Sequence, residues 1–208
     1  MLTLTKILKH KIVAIIRGAN PADVLKISEA LYAGGIRILE ITMNSTGPLE
    51  AIKEAADKLG DKMVIGAGTV LDAKTARAAI LAGAQFILSP IVDIDVINTA
   101  KSYGTVVIPG AHTPTEILHA FKNGGDIIKV FPATSPAYIK DILGPLPHIP
   151  LLPTGGINLE NIKQYKQAGA VGFGIGSSLV NTQLAVTNEY LAELTQTAMK
   201  YVQAIADI

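Results

Sequence analysis

The chain repeats one pattern from end to end: a short run of aliphatic residues, a stretch with apolar residues at helical spacing, and glycine before the next run. Eight such runs occur, at 12–17 (IVAIIR), 38–43 (ILEITM), 63–69 (MVIGAGT), 85–89 (QFILS), 105–109 (TVVIP), 126–131 (DIIKVF), 150–154 (PLLPT) and 171–176 (VGFGIG). None alternates apolar with polar, so each reads as a strand covered on both faces, the mark of a parallel sheet between helices. The strand ends Arg17, Glu40, Gly68, Ser89, Pro109, Lys129, Thr154 and Gly176 recur every 20 to 28 residues, enough for one helix and two short loops.

Eight such units predict an α/β fold, a (β/α)8 TIM barrel, with residues 1–208 as one domain and a short helix over 3–10 capping its bottom. An open doubly wound sheet is the alternative. The eighth run with its closing helix, and the lack of a glycine-rich turn after the first run, weigh against it. Gly34, Gly60, Gly83, Gly104, Gly124 and Gly169 follow the helical stretches and are expected as left-handed caps. Tyr190, Leu191, Leu194, Ala198, Tyr201, Val202 and Ile205 give the last helix its apolar stripe.

Composition narrows the chemistry. Hydrophobic residues make up 49% and charged residues 17% of the chain, which excludes disorder. The 18 basic and 17 acidic side chains form no basic block, so nucleic acid is not an expected partner. Arg17, Asp93, Asp95 and Lys129 break the longest apolar stretches, and the N-terminal residues lack the order of a signal peptide, so no membrane association and a cytoplasmic location are expected. Without cysteine there are no disulfides, thiolates, iron–sulfur clusters or cysteine-based zinc sites, and the four histidines have no ligand-like spacing. His112, in the loop after the fifth run, reads as a loop residue or minor contact.

In a barrel of this kind chemistry sits where strands run into the following loops. Lys129 stands among Ile127, Ile128, Val130 and Phe131, where lost hydration favours the free amine that attacks carbonyls. Glu40 is the one glutamate in the eight runs. Together they supply an imine-forming amine and a proton shuttle; a buried ion pair between them is the structural alternative. Arg17 ends the first strand with a guanidinium suited to carboxylate or phosphate, or to pairing with Glu40. Thr69 in GAGTV adds a hydroxyl, and the glycine-rich ends PTGGI and GIGSS, with a helix expected from Asn158, match a phosphate cradle with Ser177 as an extra donor.

The ordered motifs KIVAIIRG, LEIT, GAGTV, ILSP, IPGAHTPTE, IKVFPA, PTGGI and GIGSSLV resemble the 2-keto-3-deoxy-6-phosphogluconate (KDPG) aldolases, which also act as 4-hydroxy-2-oxoglutarate aldolases. The resemblance implies a class I aldolase, commonly a homotrimer, that forms pyruvate and glyceraldehyde 3-phosphate from its sugar acid without metal or organic cofactor. It also implies cleavage of 4-hydroxy-2-oxoglutarate to pyruvate and glyoxylate. It places the imine on Lys129 and proton transfer on Glu40, a pyruvate contact at Thr69, a substrate contact at Pro90, and phosphate contacts at Gly155, Gly156 and Ser177. Thr154 matches a residue tied to stereochemistry at C4 and favours the gluconate-type substrate. One position departs: many relatives carry an arginine for the pyruvate carboxylate where this chain has Asn44, followed by Ser45. Arg17 is then the expected cation, and the Asn-Ser pair is similar to the phosphogalactonate branch. A phosphosugar isomerase or epimerase, and a non-enzymatic anion-binding barrel, remain the other readings.

Overall fold

In the computed structural model, residues 2–206 are described. Helix α1 (Leu2–His10) leads into β1 (Ile12–Ile16), followed by α2 (Pro21–Ala33), β2 (Ile38–Thr42), α3 (Pro48–Leu59), β3 (Val64–Gly68), α4 (Ala73–Leu81), β4 (Phe86–Leu88) and α5 (Ile94–Ser102). The second half comprises β5 (Val106–Ile108), β6 (Gly110–Ala111), α6 (Pro114–Lys122), β7 (Ile128–Val130), α7 (Pro136–Leu143), β8 (Leu151–Pro153), α8 (Ile162–Gln167), β9 (Phe173–Ile175) and α9 (Asn188–Ala206).

All strand pairs are parallel, running β5-β4-β3-β2-β1-β9 in one ladder and β6-β7-β8 in another. Two seams join the ladders. Asp126 N–H donates to Val107 O at 2.9 Å and Lys129 N–H to Pro109 O at 3.0 Å, while a parallel bridge links Thr154 to Gly174. The sheet therefore closes on itself, and the open doubly wound alternative is excluded. The expected fifth strand is two segments, β5 and β6, because Pro109 has no N–H to continue the ladder. The pair acts as one stave, so nine segments make eight.

The barrel interior is packed below the site. Ile7 of α1 joins Val13, Ile38, Val64, Phe86, Leu88, Val106, Ile108, Ile127 and Leu152 in one buried cluster. Thus α1 plugs the N-terminal end, as the sequence predicts. The opposite strand faces pack against the helices in a separate core. Helix starts are fixed by side-chain caps at Asn20, Asp72, Asp93, Thr113 and Ser135, each worth about 1 kcal/mol. On α9, Tyr190, Leu194, Ala198 and Tyr201 are buried, and Leu191, Val202 and Ile205 pack beside them.

Two local expectations fail. Gly34 and Gly60 have negative φ, whereas Gly83, Gly104, Gly124 and Gly169 have the left-handed conformation. Gly34 answers to packing: a Cβ there would lie 2.4 Å from Ala198 Cβ, where α2 meets α9. The helix expected from Asn158 begins at Ile162. Asn158 Oδ1 accepts from the N–H groups of Glu160 and Asn161, and Asn161 Oδ1 from that of Asn158, a turn that competes with helix.

Candidate active site

Glu40 and Lys129 lie on staves half a turn of the barrel apart, each two residues beyond a plug residue, Ile38 and Ile127. In register, Glu40 aligns with Ile15 and Gly66, and Lys129 with Gly110 and Leu152. Several neighbours on this inner face are glycines, and their missing side chains make room for other residues. A Cβ on Gly66 would lie 2.3 Å from the Phe86 ring, one on Gly68 1.7 Å from Glu40 Oε1, and one on Gly174 2.3 Å from Thr154 Oγ1. Phe86, Glu40 and Thr154 fill the space these glycines leave.

Glu40 is fully buried, and neither carboxylate oxygen has a hydrogen-bond partner. Burial pushes its pKa up, against the opposing pull of Lys129 and Arg17. Lys129 is 3% exposed, and burial pushes its pKa down, with Glu40 acting to raise it and Arg17 to lower it. Among the described residues the ion pairs within 4.0 Å are Lys26–Asp23, Lys53–Asp57 and Lys101–Asp126. The buried Lys129–Glu40 bridge allowed by the sequence is therefore not formed. Lys129 Nζ stands over the Phe131 ring, 4.8 Å from its centroid. Both groups keep their hydrogen-bonding capacity for something that enters from above.

Around the ends of β1, β8 and β9 opens a cleft of about 710 Å³, and Glu40 and Lys129 lie outside its lining. It is lined by Arg17, Phe131, Thr154, Gly155, Gly156 and Ser177 among others, so five of the residues singled out in the sequence meet there. Gly155 and Gly156 both have positive φ, at 91° and 73°, turning the chain sharply after β8. Arg17 Nη1 donates to Asn44 Oδ1 at 3.1 Å; the guanidinium pairs with this amide rather than with Glu40. Thr154 is buried with its hydroxyl unpartnered. Thr69 follows β3 and Pro90 lies two residues beyond β4; with Asn44, they are outside the lining of this cleft. Thr69 is held at φ 56°, a conformation that strains a β-branched residue.

Sequence reasoning missed Phe131 and the segment Asn181, Thr182 and Gln183, which also line the cleft. Phe131 follows Lys129 by two residues, a period-two signal in DIIKVF that would have found it. The segment at 181–183 carries no such signal. His112 stacks on Tyr138 with ring centroids 5.2 Å apart and its Nδ1 buried and unpartnered. Among the described residues no three His, Asp or Glu side chains gather as a metal site. No helix among them is long and apolar enough to cross a membrane.

A desolvated amine and a desolvated carboxylate that feel each other's charge inside a parallel barrel, together with a cleft lined by an arginine and paired glycines, define a carbon–carbon lyase of the class I aldolase type. The family model "KDPG and KHG aldolase" matches residues 4–197, and the chain belongs to that family. It is 37% identical over 174 residues to the 2-dehydro-3-deoxy-6-phosphogalactonate aldolase of Escherichia coli, covering 82% of this chain and 85% of the relative. Identity is also 37%, over 158 residues, to the 2-dehydro-3-deoxy-phosphogluconate aldolase of Pseudomonas aeruginosa, covering 74% and 71%. Among solved structures, the KDPG aldolase of Legionella pneumophila with pyruvate captured as a covalent carbinolamine superposes with a TM-score of 0.82 at 28% identity, covering 95% of this chain and 96% of that one.

Proposed function

We propose that this aldolase cleaves 2-dehydro-3-deoxy-6-phosphogluconate to pyruvate and glyceraldehyde 3-phosphate, and 4-hydroxy-2-oxoglutarate to pyruvate and glyoxylate, through an imine on Lys129. The observation that carries this reading is a nearly buried lysine with no carboxylate bound to it, its pKa lowered by burial. An ammonium locked in a salt bridge is a poor nucleophile; a desolvated amine is a good one.

The Lys129 lone pair adds to C2 of the keto acid, giving a carbinolamine. Glu40 relays the protons that let hydroxide leave as water, and the product is a protonated imine. Glu40, acting through a water, then takes the C4 hydroxyl proton. The C3–C4 bond breaks, its electron pair forms the C2=C3 double bond of an enamine while the iminium π pair moves onto nitrogen, and the aldehyde departs. Protonation at C3 and hydrolysis release pyruvate and restore the amine. Raised pKa at Glu40 and lowered pKa at Lys129 bring both closer to neutrality, where each can hold or give a proton.

Arg17 takes the keto-acid carboxylate, oriented by Asn44, and Gly155, Gly156 and Ser177 hold the phosphate. Thr69 and Pro90 contact the pyruvate portion, and Thr154 meets the C4 region. The Arg17–Asn44 pair and the identity with the phosphogalactonate relative support a second reading, the C4-epimeric galactonate-type substrate. The proposal includes a cytoplasmic homotrimer with residues 1–208 as one catalytic domain.

The test is borohydride reduction in the presence of pyruvate, read by peptide mass. A pyruvate-derived adduct on Lys129 is expected; an unmodified chain would remove the imine mechanism, leaving an isomerase or a binding barrel.

A further inference from the structure

Arg17 lies just past β1 and is exposed, and Gly18 turns away from the sheet at φ 72°. A residue placed there has no strand partner to fix it. Two side-chain contacts from distant segments do so instead. Ser45 Oγ accepts from Gly18 N–H at 2.8 Å, and Thr182 Oγ1 donates to Arg17 O at 2.6 Å across 165 residues of sequence. Thr182 itself lines the cleft, in a turn where Asn181 Oδ1 accepts from Gln183 N–H at 3.1 Å. Its hydroxyl therefore ties the segment after the last stave to the end of the first. Among the described residues that line the cleft, Arg17 is the one that bears a charge. A small change in where its guanidinium sits has no other cation there to compensate.

We propose that Thr182 is a positioning residue for Arg17, and through it sets affinity for the carboxylate of the keto acid. The inference rests on the proposed role of Arg17. Guanidinium recognition of a carboxylate depends on a fixed fork geometry, so freeing the backbone beneath it weakens binding of reactant and transition state together. The effect belongs in KM and in pyruvate affinity rather than in kcat.

The experiment is a double-mutant cycle on the full chain with Thr182→Val, Thr182→Ser and Arg17→Ala. The readouts are KM and kcat for aldol cleavage, and pyruvate affinity from the concentration dependence of borohydride trapping. Thr182→Val is expected to raise KM about fivefold, the effect of losing one hydrogen bond, with kcat nearly unchanged. Thr182→Ser keeps the donor and is expected to restore KM. In the Arg17→Ala background Thr182→Val is expected to add nothing. Thr187→Val serves as a structural control from the same loop, since Thr187 Oγ1 accepts from Tyr190 N–H away from the cleft. Equal effects of Thr182→Val with and without Arg17, or failure of Thr182→Ser to rescue, would overturn the proposal. If Thr182→Val does not fold, a KM raised in Thr182→Ser by as much as in Thr182→Ala overturns it as well. Absence of any pyruvate adduct in the unsubstituted chain would instead mean that the aldolase reading itself has failed.

Discussion

The Glu40 carboxylate occupies the space that a side chain at Gly68 would fill: a Cβ built there would lie 1.7 Å from Oε1 and 2.3 Å from Cδ. The glycine and the acid are on adjacent parallel strands, with Thr42 aligned on Gly68 and Glu40 on Gly66. The seat of the proposed proton shuttle is thus a missing side chain on the neighbouring strand.

Gly68→Ala is accordingly expected to drive Glu40 out of its position. Overpacking of this kind costs roughly 1–3 kcal/mol, visible as a lower urea midpoint. Turnover should fall by at least tenfold while pyruvate trapping at Lys129 persists. A variant with normal kcat would show that the exact seat of Glu40 is unimportant.

Lys129→Met is expected to abolish the pyruvate adduct and lower kcat by several orders of magnitude. Its stability near neutral pH should hold or improve, because a desolvated amine is exchanged for an apolar side chain of similar length. Chemical denaturation together with mass spectrometry checks both arms. A marked loss of stability would mean that Lys129 contributes mainly to the fold.

The pH dependence of stability follows from the two opposed shifts. Burial raises the Glu40 pKa above 4.5, so above that value the folded state binds more protons than the unfolded chain. The stability contributed by protonated Glu40 is complete below the unfolded value and is lost as pH rises through the folded one. Lys129 has a folded pKa below 10.5, so in the alkaline window the unfolded chain binds more protons and stability rises with pH. Glu40→Gln should flatten the first limb and, by removing the charge that raises the Lys129 pKa, widen the second. In the same variant the onset of borohydride trapping should move to lower pH although turnover falls. Urea midpoints across the pH range, with trapping rates beside them, measure each limb; an unchanged acid limb would count against burial of an ionisable Glu40.

Thr154→Val removes a buried hydroxyl that has no partner, so the stability change should stay within about 1 kcal/mol. Its effect belongs in selectivity: the ratio of cleavage rates for the gluconate- and galactonate-type epimers should fall severalfold. Rates on both epimers and on unphosphorylated 4-hydroxy-2-oxoglutarate give that ratio directly. Equal ratios before and after the substitution would take Thr154 out of the recognition of C4.

Much of this architecture is legible in one dimension. Strands buried on both faces cannot alternate, so runs such as IVAIIR and ILEITM announce a parallel sheet, and eight of them announce closure. Lys129 and Glu40 stand out for the same reason, as charges in runs where charge is costly. The misses have local causes. Pro109 splits a stave, a loss of one N–H that leaves the strand direction intact, and paired asparagine turns at Asn158 and Asn161 delay α8 until Ile162. Gly34 does cap α2, but with negative φ, and its missing Cβ answers to the close approach of Ala198.

By itself, then, the sequence determined the alternation of strands and helices, the depth at which the amine and the acid sit along their strands, and the glycine-rich turns after β8 and β9, because these depend on local hydrophobic pattern and backbone freedom. The tertiary structure decided what those groups touch. That Lys129 and Glu40 stay unpaired, that Arg17 turns to Asn44 rather than Glu40, and that Thr182 reaches Arg17 across 165 residues all depend on barrel closure, which brings some distant groups within hydrogen-bond reach and keeps others apart.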